Sequence, residues 1–362
     1  MSQPHDDDED LARAQVTLQQ MTNGYWTTQI IYAAAKLGIA DRLTHGPQDV
    51  DTLARATQAH APSLGRLMRA LGGLGIFREN EHHQYELTTL GRCLVSGSPG
   101  ALRARAILNG EEWYQAWGGL LDGVRTGKSP FPNLFGEPFF DYRAGRADTA
   151  ATFNEAMASS TGGAAAAVVN VYDFIGCRTI VDVGGGTGAF LGAILRANPQ
   201  ARGILFDRPS VADVARETIA HTDIAGRCEV VGGDFLEAVP SGGDVYILSW
   251  IIHDWDDERS VTILANCRRA MTRDARLLLI EQVVPPGNQP SLSKLYDVHM
   301  LVLYSGGRER TLDEYRGLLT SADLRLAKII PTEVPRSVIE AVPREGATAA
   351  KHLMATSDPS DP

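Results

Sequence analysis

The segment TIVDVGGGTGAFLGAILRANP, residues 179–199, constrains what this chain can fold into more than any other stretch. Ile180 to Val183 is a short apolar, β-branched run of the kind that forms a strand buried on both faces. Gly184, Gly185, Gly186 and Gly188 then make a tight turn, and Phe190 to Leu195 begins a helix. Such a strand–turn–helix unit aims backbone N–H groups and the positive end of a helix at one ligand. Gly184-x-Gly186-x-x-Ala189 satisfies the dinucleotide fingerprint, while Gly184-x-Gly186-x-Gly188 suits other nucleoside cofactors as well. The turn therefore implies an α/β fold and a nucleoside cofactor without saying which one.

Three further strand ends narrow the choice. GILFDRP reads as a second strand ending at Asp207, where a carboxylate accepts both ribose hydroxyls of either cofactor type. RCEVVGGDF reads as a third strand ending at Asp234 and Phe235. An acid there accepts from an adenine amino group while the phenyl ring packs on the base, as in S-adenosylmethionine (SAM) sites. Asp is equally common at turns and helix caps, so a purely local role for Asp234 stays open. At the C-terminal end, LRLAKIIPTEV and RSVIEAVPR flank Pro335, and so short a connection makes the pair antiparallel. A Rossmann-like sheet closed by an antiparallel C-terminal strand is the methyltransferase variant of this architecture, which argues against hydride transfer.

The fourth strand and its helix lie in DVYILSWIIHDWDDERSVTILANCRRAM, and ARLLLIEQVVPPG is the fifth strand, ending at Glu281. Ligands of open α/β sheets sit beyond the carboxyl ends of the strands, which is where His253 and Asp254 must lie. GGRERT adds Glu309 in a loop before a further helix. Methyl displacement from a sulfonium needs a positioned, deprotonated acceptor and little else. A neutral imidazole near its ordinary pKa of about 6.5 is a fitting partner for a phenol proton of pKa about 10. A carboxylate on the far ring nitrogen would hold the tautomer and stabilise the imidazolium. A lone histidine at a strand end is more often structural. Two distant carboxylates at the same edge favour the catalytic reading.

The first 105 residues are helical and end in a hairpin. A helix over Thr27–Leu43 and a short one in VDTLARATQA precede a third opened by Pro62, with Leu64, Leu67, Met68, Leu71 and Leu74 on one stripe. FRENEHHQYELTT follows as two strands around polar turn residues. Three helices and a hairpin make a winged-helix pattern. The third helix offers only Arg66 and Arg69, and 34 basic against 44 acidic side chains leave the chain at −10. Phosphate neutralisation dominates nucleic-acid affinity, so a dimerisation or docking module is the better reading, with neither nucleic acid nor membrane as partner. Residues 106–160 read as a helical connector whose Trp113, Trp117, Phe131, Phe135, Phe139 and Phe140 suit a pocket for a flat substrate and a plain core equally. Residues 1–10 and 346–362 are polar or Pro/Ser-rich and are expected to be disordered. The catalytic domain would then span 161–345. An acidic start, no apolar run of about 18 residues, and four scattered cysteines (Cys93, Cys177, Cys228, Cys267) point to a cytoplasmic protein.

VDVGGGTG, FDRP, GGDF, IIHDWDDE, IEQVVPP and GGRERT, in this order over residues 20–345, resemble the class I SAM-dependent small-molecule O-methyltransferases. That family includes plant caffeate and isoflavone enzymes and bacterial antibiotic-tailoring relatives. The resemblance implies SAM as cofactor, held by Gly184, Gly186, Gly188, Asp207, Asp234, Phe235 and Ser249. It also implies a homodimer built through the N-terminal domain, with Tyr25 and Trp26 as candidates to approach the partner's acceptor pocket. By the same resemblance His253 is the base, with Asp254 beside it and Glu281 and Glu309 flanking it. Met157, Trp250, His299 and Met300 would surround a small aromatic acceptor. Ser249 stands where plant relatives carry a lysine that contacts the cofactor. His299 replaces an aliphatic residue, so an iron-assisted C-methylation through His253, Asp254 and His299 is the alternative. No metal is expected, since methyl displacement needs no Lewis acid.

Overall fold

The computed structural model describes residues 4–98 and 100–344, with side chains from residue 10 onward. It falls into two compact units, Met1–Gly118 with Arg143–Ser159, and Gly119–Tyr142 with Ser160–Pro362. The stretch 106–160 is thus divided between them. Residues 346–362 lie outside the described residues. At the other end the expectation of disorder over 1–10 meets a helix, Pro4–Thr22, which takes in all but the first three of those residues.

The first unit forms around Ile39, Leu43, Leu53, Leu64, Met68, Leu71, Phe77 and Tyr85. Gly38 at φ 65° splits the expected 27–43 helix into Gly24–Leu37 and Ile39–Leu43, because a left-handed residue cannot continue an α-helix. The Asp49 side chain caps Val50–Thr57 by accepting from Thr52 N at 2.7 Å. Helix Ala61–Gly73 buries Leu64, Met68 and Leu71 and leaves Leu74 exposed. The hairpin is β1 (Phe77–Glu79) paired antiparallel with β2 (Tyr85–Leu87). Leu11, Val16, Leu18, Met21, Tyr25 and Trp26 are each at least half exposed in the single chain, so the first two helices present an apolar surface.

The second unit is built on a seven-stranded sheet. Its strands are β3 (Thr179–Val183), β4 (Arg202–Asp207), β5 (Cys228–Gly232), β6 (Val245–Ser249) and β7 (Arg276–Glu281). After a small pair, β8 (Val283–Val284) and β9 (Arg310–Thr311), the sheet is completed by β10 (Leu324–Pro331) and β11 (Ser337–Pro343). The order is β10-β11-β7-β6-β3-β4-β5, parallel except for β11, which inserts antiparallel between β7 and β10. Ile180, Val181, Val183, Ile247, Leu248 and Leu277 to Ile280 are fully buried, as strands covered on both faces require. The third parallel strand stops at Gly232, two residues short of the expected end. Gly233 N donates to Asp207 O at 2.9 Å as the last rung between β4 and β5, and beyond it Asp234 turns the chain by accepting from Leu236 N at its side chain and from Glu237 N and Ala238 N at its carbonyl. Among the described residues no helix is long and apolar enough to cross a membrane.

Candidate active site

The carboxyl ends of β3, β4, β6 and β7 share one edge of the sheet, and the predicted residues of the second unit gather there. At the β3 end, Gly184, Gly186 and Gly188 all take positive φ (75°, 58° and 86°), a region that glycine alone enters without cost. Their turn opens helix Ala189–Ala197, and Gly186 has nothing within 4 Å of where a Cβ would sit. Half-buried Asp207 ends β4 and accepts from Gly186 N and Arg208 N at 2.8 and 2.7 Å. Burial raises its pKa, and those two N–H groups oppose the rise. Phe235 lies against the turn, 3.6 Å from a Cβ placed on Gly184, and meets Trp255 edge-on. Asp234 is exposed and accepts from Leu236 N at 2.8 Å, the local turn bond that its sequence left open.

The second cluster follows β6. Trp250 turns the chain with φ 57°, unusual for so bulky a side chain, and Ile251 then reaches back to Gly184, 2.5 Å from a Cβ placed there. His253 sits on a single short turn, Ile252–Asp254, and is 5% exposed. Its Nδ1 lies 3.0 Å from Glu309 Oε1 and 3.6 Å from Glu281 Oε2, and its Nε2 lies 3.3 Å from Asp254 Oδ1. Fully buried Glu281 uses its other oxygen to accept from Ile251 N and Ile252 N at 3.1 and 2.9 Å. Glu309 N in turn donates to Asp297 Oδ1 at 3.0 Å.

Residues 117–325 match the O-methyltransferase domain, and residues 19–97 match the O-methyltransferase dimerisation domain. The chain belongs to the O-methyltransferase family. The phenazine O-methyltransferase PhzM of Lysobacter antibioticus is 46% identical over 326 residues, covering 90% of this chain and 95% of that protein. The 3-amino-4-hydroxybenzoate 4-O-methyltransferase of Streptomyces cremeus is 40% identical over 314 residues, 86% of each chain. Human N-acetylserotonin methyltransferase, solved in complex with SAM, superposes with a TM-score of 0.85 at 27% identity, covering 91% of this chain and 98% of that one. The protein is thus a SAM-dependent O-methyltransferase, and its dimerisation domain supports a homodimer.

The glycine turn fits that cofactor. Gly186 faces open space, the turn stands at a helix N-terminus, and Asp207 and Phe235 border it. The electrostatics of the histidine corner depart from the sequence reading. Burial alone would lower the pKa of His253, yet the carboxylates of Glu281, Asp254 and Glu309 outweigh it and push the imidazole up to about 10. Burial raises Asp254 to about 6 and Glu281 to about 7. A neutral imidazole near 6.5 was expected, and the correction follows from placing one ring among three acids.

Of the remaining predicted residues, Ser249 ends β6 and is half-buried. Trp250 faces His253 with ring centres 5.4 Å apart and Tyr296 at 6.4 Å, and Tyr296 meets His299 edge-on. His299 and Met300 sit on helix Leu292–Leu303, with Met300 buried. Met157 is half-buried on the long helix Ala147–Val171, in its first-unit portion. Among the described residues, the acids and histidines within coordinating reach of one another are His253, Glu281 and Glu309. That set differs from the His253, Asp254 and His299 weighed for iron. Sequence reasoning missed Ile251 as the link between the two clusters, Asp297 behind Glu309, and Arg310. The signal for Arg310 was its position next to Glu309 in GGRERT.

Proposed function

We propose that the enzyme methylates a phenolic or enolic hydroxyl of a small aromatic secondary metabolite in the cytoplasm, with His253 as the general base. The observation that carries this reading is the approach of two carboxylates to Nδ1, which makes Nε2, with Asp254 Oδ1 3.3 Å from it, the nitrogen to receive the acceptor's proton. SAM supplies, when bound, a methyl group on a sulfonium, so that the new C–O bond forms as the C–S bond breaks. Glu309 holds the ring and its tautomer, while Glu281 anchors the turn through Ile251 N and Ile252 N and adds negative charge beside the imidazolium. The Gly184–Gly188 turn, Asp207, Asp234, Phe235 and Ser249 would hold the cofactor. Trp250, His299 and Met300 would border the acceptor. The aromatic substrates named for the phenazine and aminohydroxybenzoate relatives support the acceptor class. Four free cysteines accord with a reducing compartment.

The shifted imidazole suits the acceptor. A base near pKa 10 and a phenol near pKa 10 share a proton almost evenly, so transfer in the transition state is close to isoenergetic. Incubation with methyl-labelled SAM and a panel of hydroxyphenazines and hydroxybenzoates tests the reading, with product structure distinguishing oxygen from ring-carbon methylation. An O-methyl ether from the wild type, and turnover by His253→Gln below about a tenth of it, are expected. Faster turnover by that variant on the same acceptor would refute the base assignment.

A further inference from the structure

Arg310 is the bulkiest fully buried side chain among the described residues, at 0% exposure. Burying a guanidinium is costly unless its donors are matched, and here the shortest bonds go to one short segment, with longer ones to Ser260 Oγ at 3.4 Å and Arg308 O at 3.5 Å. Nη1 donates to Ile252 O at 2.9 Å, and Nη2 donates to Trp255 O at 2.8 Å. Nε and Nη2 both donate to Asp257 Oδ1, at 3.1 and 2.8 Å. These acceptors bracket His253, one residue before it and two and four after. The preceding residues complete the hold: Arg308 N donates to His253 O at 2.8 Å, and Glu309 meets the imidazole itself. Consecutive residues 308, 309 and 310 therefore grip the backbone, the ring and the flanks of the histidine turn.

We propose that Arg310 is a positioning residue that acts through His253, holding the imidazole at its 3.0 Å contact with Glu309 and 3.6 Å approach to Glu281. The inference rests on the reading of His253 as base. Its chemistry is geometric. Three acceptors on two sides of a turn need a planar fork of donors, which lysine's single ammonium does not provide. Catalytic groups must be held to within about 0.5 Å, and the turn is too short to hold itself, with only three residues in its helical part. Nothing in this arrangement places Arg310 against the acceptor or the cofactor.

A double-mutant cycle with His253→Ala separates this role from a merely structural one. Arg310→Gln in the wild-type background is expected to lower kcat about 10- to 100-fold, while KM and SAM affinity, read by calorimetry, stay within about threefold. In the His253→Ala background the same substitution is expected to cost less than about twofold, because the group it positions is already gone. Arg310→Lys should recover only part of the loss, and the alkaline limb of its kcat profile should move to lower pH as the imidazole drifts from its carboxylates. Should Arg310→Gln fail to fold, Asp257→Ala removes the exposed partner instead and is expected to lower kcat about three- to tenfold with the same non-additivity. An equal loss in both backgrounds, or full recovery by lysine, would overturn the proposal. Undiminished turnover by His253→Ala alone would instead sink the base reading on which it stands.

Discussion

The glycine turn at 184–188 is built almost entirely of backbone, whereas the histidine corner is built of side chains that arrive from three separate segments. In the turn, positive φ angles and a bare Cα at Gly186 shape a surface, and the one carboxylate involved, Asp207, is held by backbone N–H groups. In the corner, the carboxylates of Glu309, Asp254 and Glu281 lie 3.0, 3.3 and 3.6 Å from the nitrogens of one imidazole. The first arrangement depends mainly on backbone shape. The second depends on the sum of buried charges, so each member sets the proton affinity of the others. The two meet at Ile251, whose side chain touches the glycine turn and whose N–H is held by Glu281.

If the two regions do separate work, their variants should fall into separate columns of a kinetic table. His253→Ala is expected to have the largest effect, lowering kcat about 10²- to 10⁴-fold while SAM affinity is unchanged. A parallel loss of SAM binding in calorimetry would erase the distinction. Asp207→Ala should do the reverse, weakening SAM binding by about 1.5–3 kcal/mol, roughly 10- to 150-fold, with kcat at saturating SAM preserved.

Gly184→Ala tests the one place where the regions touch. The new methyl group would lie 2.5 Å from Ile251 Cδ1 at a φ of 75°, so relief requires Ile251 to move, and Ile251 N is held by Glu281. About 1–2 kcal/mol of strain is expected, seen as a roughly five- to thirtyfold loss in both SAM affinity and kcat. A loss confined to SAM affinity would show that Ile251 does not couple the two.

The subtlest effect is in the pH profile. Productive encounter requires the same proton count whether neutral His253 meets a phenol or its imidazolium meets a phenolate. For an acceptor of pKa about 10, kcat/KM should therefore rise about tenfold per pH unit until the imidazolium or phenol pKa is reached. With His253 pushed up to about 10, that limb extends well above neutrality. Glu281→Gln removes a negative charge that favours the imidazolium, so its pKa must fall and the rise must end earlier, by about one to three units with an acceptor whose own pKa is high enough not to limit it. The glutamine carbonyl still accepts from Ile251 N and Ile252 N, which keeps the turn in place. An unshifted limb would mean that Glu281 contributes anchoring alone.

Much of this enzyme was legible before any coordinates. The glycine spacing at 184–188, the apolar runs, the ends of β4, β6 and β7, and the antiparallel pair around Pro335 are local patterns, and each formed where periodicity placed it. The order of His253, Glu281 and Glu309 at strand ends or in the loop before a helix was enough to place them at one edge, since open α/β sheets put those ends together. Other features were not legible. The third strand ended early because Asp234 opens a turn, accepting from Leu236 N, Glu237 N and Ala238 N, and Asp suits a strand end and a turn equally in sequence. Nothing in GGRERT but its place beside Glu309 marks Arg310, which the fold buries against the turn that carries His253.

The sequence by itself determined the sheet, the glycine turn and the candidate histidine at its edge, because hydrophobic period, glycine conformation and strand order are properties of neighbouring residues. Only the tertiary structure decided that this imidazole holds its proton well above its ordinary pKa. Its pKa is the balance between burial, which disfavours the imidazolium, and the field of three carboxylates, two of them from segments 28 and 56 residues away. That balance exists only once those segments are packed together, since Coulomb energy depends on distance in space and not on distance along the chain.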